Sequence, residues 1–164
     1  MTLGDLRVEP ARPADLDQLV ALDARSFSRA DRYRRPEWAA LLGDSLADGP
    51  SRILVARLAD AVVGAVVVEP DLESGDVNLV SLAVDASYRR TGLATRLLRD
   101  ALAPLAAQVR TVTLEVRTDN NAARSLYEQL GFQLARRIRR YYADGAPALQ
   151  YRAALSVVLA RMPI

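Results

Sequence analysis

Arg89-Arg90-Thr91-Gly92-Leu93-Ala94 stands between an apolar run, Leu79 to Val84, and an amphipathic one, Leu93 to Leu105. The order reads as a strand, a short basic loop containing glycine, and a helix. Such a loop gathers unpaired backbone N–H groups, the positive end of a helix dipole and two guanidinium groups at one point. That combination suits a diphosphate. The stretch alone also fits a solvated turn. It is neither the three-glycine dinucleotide fingerprint nor a Walker A loop, which needs Gly-Lys followed by Ser or Thr. The rest of the chain decides between the readings.

Upstream, Leu6-Arg7-Val8-Glu9 alternates as a short strand. Pro13-Ala14-Asp15 opens a helix whose stripe of Leu16, Leu19, Val20 and Leu22-Asp23 holds to about Phe27. Arg35-Pro36-Glu37-Trp38 opens a second helix with Leu41, Leu42 and Leu46 on one face, stopped by Asp48-Gly49-Pro50-Ser51. Residues 52–58 and 61–69 read as a hairpin about Ala59-Asp60, and 76–84 as a third strand that ends at the basic loop. Downstream, Pro104 kinks or ends the helix begun at Leu93. Residues 111–117 form a strand, 121–130 a short helix stopped by Gly131, and 132–142 and 148–159 two long strands about Asp144-Gly145-Ala146-Pro147. Helices precede, interrupt and follow strands, which gives an α/β or α+β class with a mixed sheet. No repeat or linker divides the chain, so 1–164 reads as one domain.

The composition restricts the chemistry. The 164 residues include no Cys, His or Lys, so every one of the 22 basic residues is Arg. Disulfides, thiolate nucleophiles, imidazole bases and Schiff bases are excluded, and no metal site is expected. Acid–base groups must come from Asp, Glu, Tyr and hydroxyl residues. A Ser or Thr nucleophile would lack its usual His or Lys partner, which argues against covalent catalysis. A net charge of +2 implies no broad nucleic-acid footprint. The N-terminus, Met1-Thr2-Leu3-Gly4-Asp5, lacks signal-peptide features, and no apolar run approaches the roughly 20 residues of a membrane helix. A cytoplasmic protein with neither membrane nor nucleic acid as partner is expected.

In Leu114-Glu115-Val116-Arg117, Glu115 points away from Leu114 and Val116. The plain reading is a solvated sheet face. A central strand covered by helices on both sides has none, however, and the loop and helix after Arg117 form a wall for a cleft. A carboxylate there, partly desolvated, suits a base. On the next helix Tyr127 lies beside a stripe of Ala123, Leu126 and Leu130, so its ring packs while its hydroxyl reaches the cleft. A phenol there suits protonation of a thiolate.

These residues resemble the GCN5-related N-acetyltransferase (GNAT) superfamily. Arg89-Arg90-Thr91-Gly92-Leu93-Ala94 is similar to its acetyl-coenzyme A loop. Leu114-Glu115-Val116-Arg117, Asn120, Ala123, Leu126-Tyr127 and Gly131-Phe132 are similar to its second block. Arg139-Arg140-Tyr141-Tyr142 and Asp144-Gly145 extend the resemblance toward the ribosomal-protein-alanine N-acetyltransferases, the RimI branch. It runs from about Asn78 to about Tyr151. It implies a mostly antiparallel central sheet flanked by helices on both faces, and acetyl transfer from acetyl-CoA to a primary amine. The expected acceptor is a protein or peptide N-terminal α-amine. The alternatives are a small amine, such as an amino acid, polyamine or aminoglycoside, or a silent acyl-CoA-binding module. A monomer or homodimer is expected.

The resemblance implies that Leu82, Ala83 and Val84 hold the pantetheine arm, one of their N–H groups polarising the thioester carbonyl. Arg89, Arg90, Thr91, Gly92, Leu93 and Ala94 then hold the diphosphate, and Asn120 contacts the pantetheine side. Tyr127 adjoins the cofactor as proton donor to the leaving thiolate, and Glu115 takes the proton of the ammonium. Two departures from the branch fall on the acceptor side. Residues 27–38 lack its Pro-Trp pair, and Ala146-Pro147 stands where an acidic residue usually precedes the alanine. The clusters Arg32, Arg34, Arg35 and Arg136, Arg137, Arg139, Arg140 argue for an acidic or carboxylate-bearing acceptor, and they permit an RNA-directed enzyme.

Overall fold

A computed structural model describes residues 3–162; Met1 and Thr2, part of the signal-peptide reading, lie outside the described residues, as do Pro163 and Ile164. In chain order the elements are β1 (Arg7–Pro10), α1 (Leu16–Ser26), α2 (Arg35–Leu46), β2 (Arg52–Leu58), β3 (Ala61–Asp71), β4 (Asp76–Val84), α3 (Leu93–Leu102), β5 (Thr111–Arg117), α4 (Asn121–Gln129), β6 (Gln133–Ile138), β7 (Ala148–Ala154) and α5 (Leu155–Arg161). The strands form one seven-stranded sheet in the order β1-β2-β3-β4-β5-β7-β6. Every neighbouring pair is antiparallel except β4 and β5.

The sheet separates two apolar cores. Val66 and Val68 face α3, while Ala65 and Val67 face α1 and α2. Burial of both faces explains why β3 reads as an unbroken apolar run rather than an alternation. One side is filled by Leu93, Leu97, Leu98 and Leu102 of α3 with Tyr127, Leu155 and Val158. The other is filled by Leu19 and Leu22 of α1 and Trp38 and Leu42 of α2, packed on β2, β3 and Ala83. The α3 helix gives way to a 3-10 turn, Ala103–Leu105, where Pro104 lacks an N–H to continue it.

Two expected boundaries are corrected. The strand expected over 148–159 ends at Ala154, and α5 begins at Leu155. Leu155, Val158 and Met162 are buried while Val157 is 40% exposed, a helical period inside a run whose apolar content also suits a strand. The strand expected over 132–142 stops at Ile138. Arg140 adopts φ 50°, and the N–H groups of Tyr141 and Tyr142 both donate to the Ala146 carbonyl, which folds 139–147 into a loop over the sheet.

A buried ion cluster ties β1, β2 and the start of α1. Arg57, only 4% exposed, donates from Nη2 to both carboxylate oxygens of Asp15 at 3.0 and 2.9 Å, and from Nε to Glu9 at 2.6 Å. Burial alone raises the Asp15 carboxyl, but the bonds from Arg57 and the Arg12 N–H outweigh it and hold the group below its ordinary value.

Gly131 follows α4 at φ 95°, and an added Cβ would come within 2.7 Å of Val157 Cγ1 on α5. Left-handed strain and this clash act together in Gly131→Ala. The loss is about 1–2 kcal/mol or more, a fall in Tm of about 2–8 °C by calorimetry.

Candidate active site

The parallel pairing of β4 with β5 lasts only from Asp76 opposite Thr111 to Leu79 opposite Leu114. At that point β4 carries one extra residue against β3, since Val68 pairs with Leu79 and Val67 with Ser81. The bulge at Val80 bends β4 away, while β5 keeps its regular register with β7 as far as Arg117. The two strands part and a cleft of about 170 Å³ opens between them. Its lining includes Val80, Ser81 and Leu82 of β4, Glu115, Val116 and Arg117 of β5, and Asn120 and Tyr127.

The residues expected to hold the acetyl donor gather at the β4 end. Leu82, Ala83 and Val84 pair with β3 through Val66, Ala65 and Gly64, and β5 no longer covers their other edge. Arg89 Nε donates to the Val84 carbonyl at 3.1 Å, which anchors the loop to the strand. Thr91 Oγ1 donates to the Tyr88 carbonyl. Arg90 and Gly92 adopt φ 59° and 83°, and α3 starts at Leu93. A Cβ on Gly92 would meet nothing within 4 Å, so glycine is needed there for its backbone conformation, and the space before the helix stays open. Asn120 caps α4 by accepting the Ala123 N–H at 3.2 Å, and the residue also lines the cleft.

Glu115 is held from two strands. Asn78 Nδ2 of β4 donates to Oε2 at 3.2 Å, and Gln150 Nε2 of β7 to Oε1 at 3.1 Å. The apolar core under α1 and α2 draws on β2, β3 and β4 and stops short of β5. Glu115 thus lies on a half-buried polar strip of sheet overhung by loops, in place of the helix-covered face expected for it. Tyr127 is 8% exposed and packs edge-on against Phe132 with ring centroids 5.6 Å apart. It is itself the buried centre of the α4 stripe, with Ala123 and Leu126 half-buried beside it. Burial pushes its phenol well above the ordinary range, which keeps it protonated at neutral pH.

On the other side of the cleft, contacts form that the quoted motifs do not reveal, because they join residues far apart in the chain. Arg117 donates to Asp31 at 2.6 Å and to Asp144 at 2.7 Å, and its guanidinium lies 5.2 Å from the centre of the Tyr142 ring. The bonds to Asp144 and Asp31 push its pKa further up. One cation thereby fastens the loop after α1 to the β6–β7 loop, both of which contribute cleft residues. Asp23 also lines the cleft and is 1% exposed. Its Oδ2 accepts the Tyr33 N–H at 2.6 Å, while Oδ1 and the indole Nε1 of Trp38 face one another without reaching hydrogen-bond geometry. An acid inside the apolar stripe of α1 was the available signal for Asp23. Polar residues in apolar strands were the signal for Asn78 and Gln150. None of the clustered arginines at 32, 34, 35, 136, 137, 139 or 140 lines the cleft. Its charged lining is Asp23, Asp31, Glu115 and Arg117, and Arg117 is already paired. Arg117 and Asp31 offset one another, so Asp23 and Glu115 set the sign of the lining, and the clustered arginines lie outside it.

Comparison with known proteins agrees with this geometry. The family model described as Acetyltransferase (GNAT) family matches residues 16–132. An N-alpha-acetyltransferase of Sulfurisphaera tokodaii is 30% identical over 158 residues, covering 88% of this chain and 90% of that protein. The N-alpha-acetyltransferase RimI of Mycobacterium tuberculosis is 34% identical over 145 residues, covering 85% and 86%. The crystal structure of the ribosomal-protein-S18-alanine N-acetyltransferase from Escherichia coli superposes with a TM-score of 0.76 at 26% identity, over 92% of this chain and 94% of that one. Among the described residues no helix is long and apolar enough to cross a membrane.

Asp23 generates a stability prediction. Burial, opposed by the Tyr33 N–H, pushes its carboxyl from 3.8 up to about 6. Between those values the folded chain holds a proton that the unfolded chain releases, so stability falls as pH rises through this window and stays lower above it. Asp23→Asn removes this loss. Its Tm exceeds that of the parent at about pH 8, by an amount equivalent to about 1–3 kcal/mol, and the two converge near about pH 4. Thermal unfolding across that range measures it.

Proposed function

Because this chain belongs to the GNAT acetyltransferase family, we propose that it is an N-alpha-acetyltransferase. It moves acetyl from acetyl-CoA directly to the α-amine of a protein or peptide N-terminus. The observation that carries this reading is the parting of β4 and β5 after Leu79 and Leu114. It leaves a free strand edge and an open glycine-bearing loop on one side of the cleft and hydrogen-bonded carboxylates on the other.

In this reading Arg89, Arg90, Thr91, Gly92, Leu93 and Ala94 bind the diphosphate through backbone N–H groups, the α3 dipole and guanidinium charge. The free edge of β4 at Leu82, Ala83 and Val84 pairs with the amide-bearing pantetheine arm as a further strand would, and a backbone N–H there polarises the thioester carbonyl. Asn120 contributes its amide N–H₂ to the same arm. Glu115, with one lone pair on each oxygen committed to Asn78 and Gln150, keeps the others for the incoming ammonium and takes its proton. The freed amine forms the new C–N bond as the C–S bond breaks, and Tyr127 gives its proton to the departing thiolate. No step requires Cys, His or Lys. The loops fastened by Arg117 bring Asp31, Tyr141 and Tyr142 to the cleft, where the peptide N-terminus would lie in this reading.

Coenzyme A release across N-terminal peptides, free amino acids and polyamines tests the acceptor. Turnover is expected on peptides beginning with Ala or Ser and not on the small amines. Glu115→Gln lowers kcat about 100-fold and moves the pH optimum upward, toward the range where the acceptor amine loses its proton unaided, while the Kd for acetyl-CoA stays within about twofold of the parent. An unchanged rate–pH profile removes Glu115 from the base role.

The diphosphate loop has its own test. Arg89→Ala removes a guanidinium, and Gly92→Asp sets a carboxylate and left-handed strain at the start of α3. Each weakens acetyl-CoA binding about tenfold or more by calorimetric titration. Full affinity in both variants refutes the assignment.

A further inference from the structure

The hydrogen bonds of Glu115 continue beyond the cleft in a row that crosses four strands. Gln150 lies directly opposite Glu115 in the β5–β7 register, and Arg136 directly opposite Gln150 in the β6–β7 register. Arg136 Nε donates to Gln150 Oε1 at 3.0 Å, and Gln150 Nε2 donates to Glu115 Oε1 at 3.1 Å. On the other side Asn78 Nδ2 donates to Glu115 Oε2 at 3.2 Å. The row begins at an exposed arginine on the edge strand and ends in the cleft.

The order of donors in this row is directional. An amide side chain can present either its oxygen or its nitrogen to a neighbour, and an oxygen turned toward Glu115 would oppose the carboxylate. Arginine is a donor only. By taking the Gln150 oxygen, Arg136 turns the Gln150 N–H₂ toward Glu115, and its charge strengthens that donor through the polarised amide. Asn78 is also bonded to Thr113, with Oγ1 at 3.2 Å and the carbonyl at 3.3 Å, so its share in Glu115 is divided. Among the described residues, Gln150 Nε2 has no second acceptor.

We infer that Gln150 and Arg136 are positioning residues for the transfer reaction: Arg136 sets the orientation of the Gln150 amide, and Gln150 fixes the Glu115 carboxylate with its free lone pairs toward the acceptor amine. This rests on the base role given to Glu115 above. It adds that the base is controlled from the outer edge of the sheet by residues that touch neither substrate.

Gln150→Leu keeps the volume and removes the donor. It lowers kcat about tenfold, leaves the KM for acetyl-CoA unchanged and moves the acidic limb of the rate–pH profile to higher pH, since the carboxylate loses a hydrogen bond to its charged form. Arg136→Leu, at an exposed site that threatens folding least, shifts the limb in the same direction by a smaller amount. Arg136→Lys, which keeps a charged donor, brings it back toward the parent. Gln150→Leu with a parental kcat and pH profile overturns the inference, as does a slower variant whose profile is unmoved and whose Tm has fallen, because a purely structural contact would do the same. A Glu115→Gln variant as active as the parent refutes the base assignment itself. A dead Glu115→Gln beside an unaffected Gln150→Leu refutes only the positioning row.

Discussion

Two strands that run parallel for four residues and then separate govern this molecule. The bulge at Val80 adds one residue to β4 at the point where its pairing with β5 ends. Had β4 kept pace with β3, its backbone groups would have continued into hydrogen bonds with β5 and the sheet would have been closed there. Both strands run into helices, α3 after β4 and α4 after β5, so the separation also parts two helix N-termini. The basic loop, the Asn120 cap, Glu115 and Tyr127 all owe their common location to that divergence. An inserted backbone residue in mid-strand thus creates the cavity with no apolar side chain removed from either core.

The guanidinium groups divide into distinct tasks, which follows from a chain that has arginine as its only cationic side chain. Arg57 is enclosed with two carboxylates and joins the first strand to the second, where a charge left alone would cost several kcal/mol. Arg117 spreads its donors over Asp31 and Asp144 and stacks on Tyr142, holding two loops at once. A planar fork with five donors suits both arrangements better than a single ammonium would. Arg136 acts through an amide. The clustered appearance of arginine in the sequence therefore says little about the sign of the cleft, where carboxylates predominate.

The regular elements were legible wherever burial imposes a period. The leucine stripe of α3, the alternation of β5, the Pro104 stop and the mixed sheet all follow from residue spacing. The passage from β7 into α5 was not legible, because Ala153 to Leu159 is apolar enough for a strand and its buried positions, Leu155 and Val158, are set by the core they share with α3. The separation of β4 from β5 has no residue signature, since a bulge is a mismatch between strands and neither sequence alone contains it. Arg117 meets Asp31 across 86 residues and Asp144 across 27, and the Arg136–Gln150–Glu115 row depends on the registers of three strands. Glu115 and Tyr127 are expectations of the resemblance, whereas the groups that hold Glu115 became visible only once the strands were paired.

An unpaired strand edge is ordinarily a hazard, because it invites edges of other molecules to join it and begin a fibril. In this fold the free edge of β4 lies in the middle of the sheet, with β5 beside it and the loops held by Arg117 above it. Another sheet would have to displace β5 to reach it. A single thin chain with amide groups along its length would not. The same recess that exposes hydrogen-bonding backbone to a substrate thus withholds it from aggregation, and the protein keeps a sticky edge without the usual charged or proline guards.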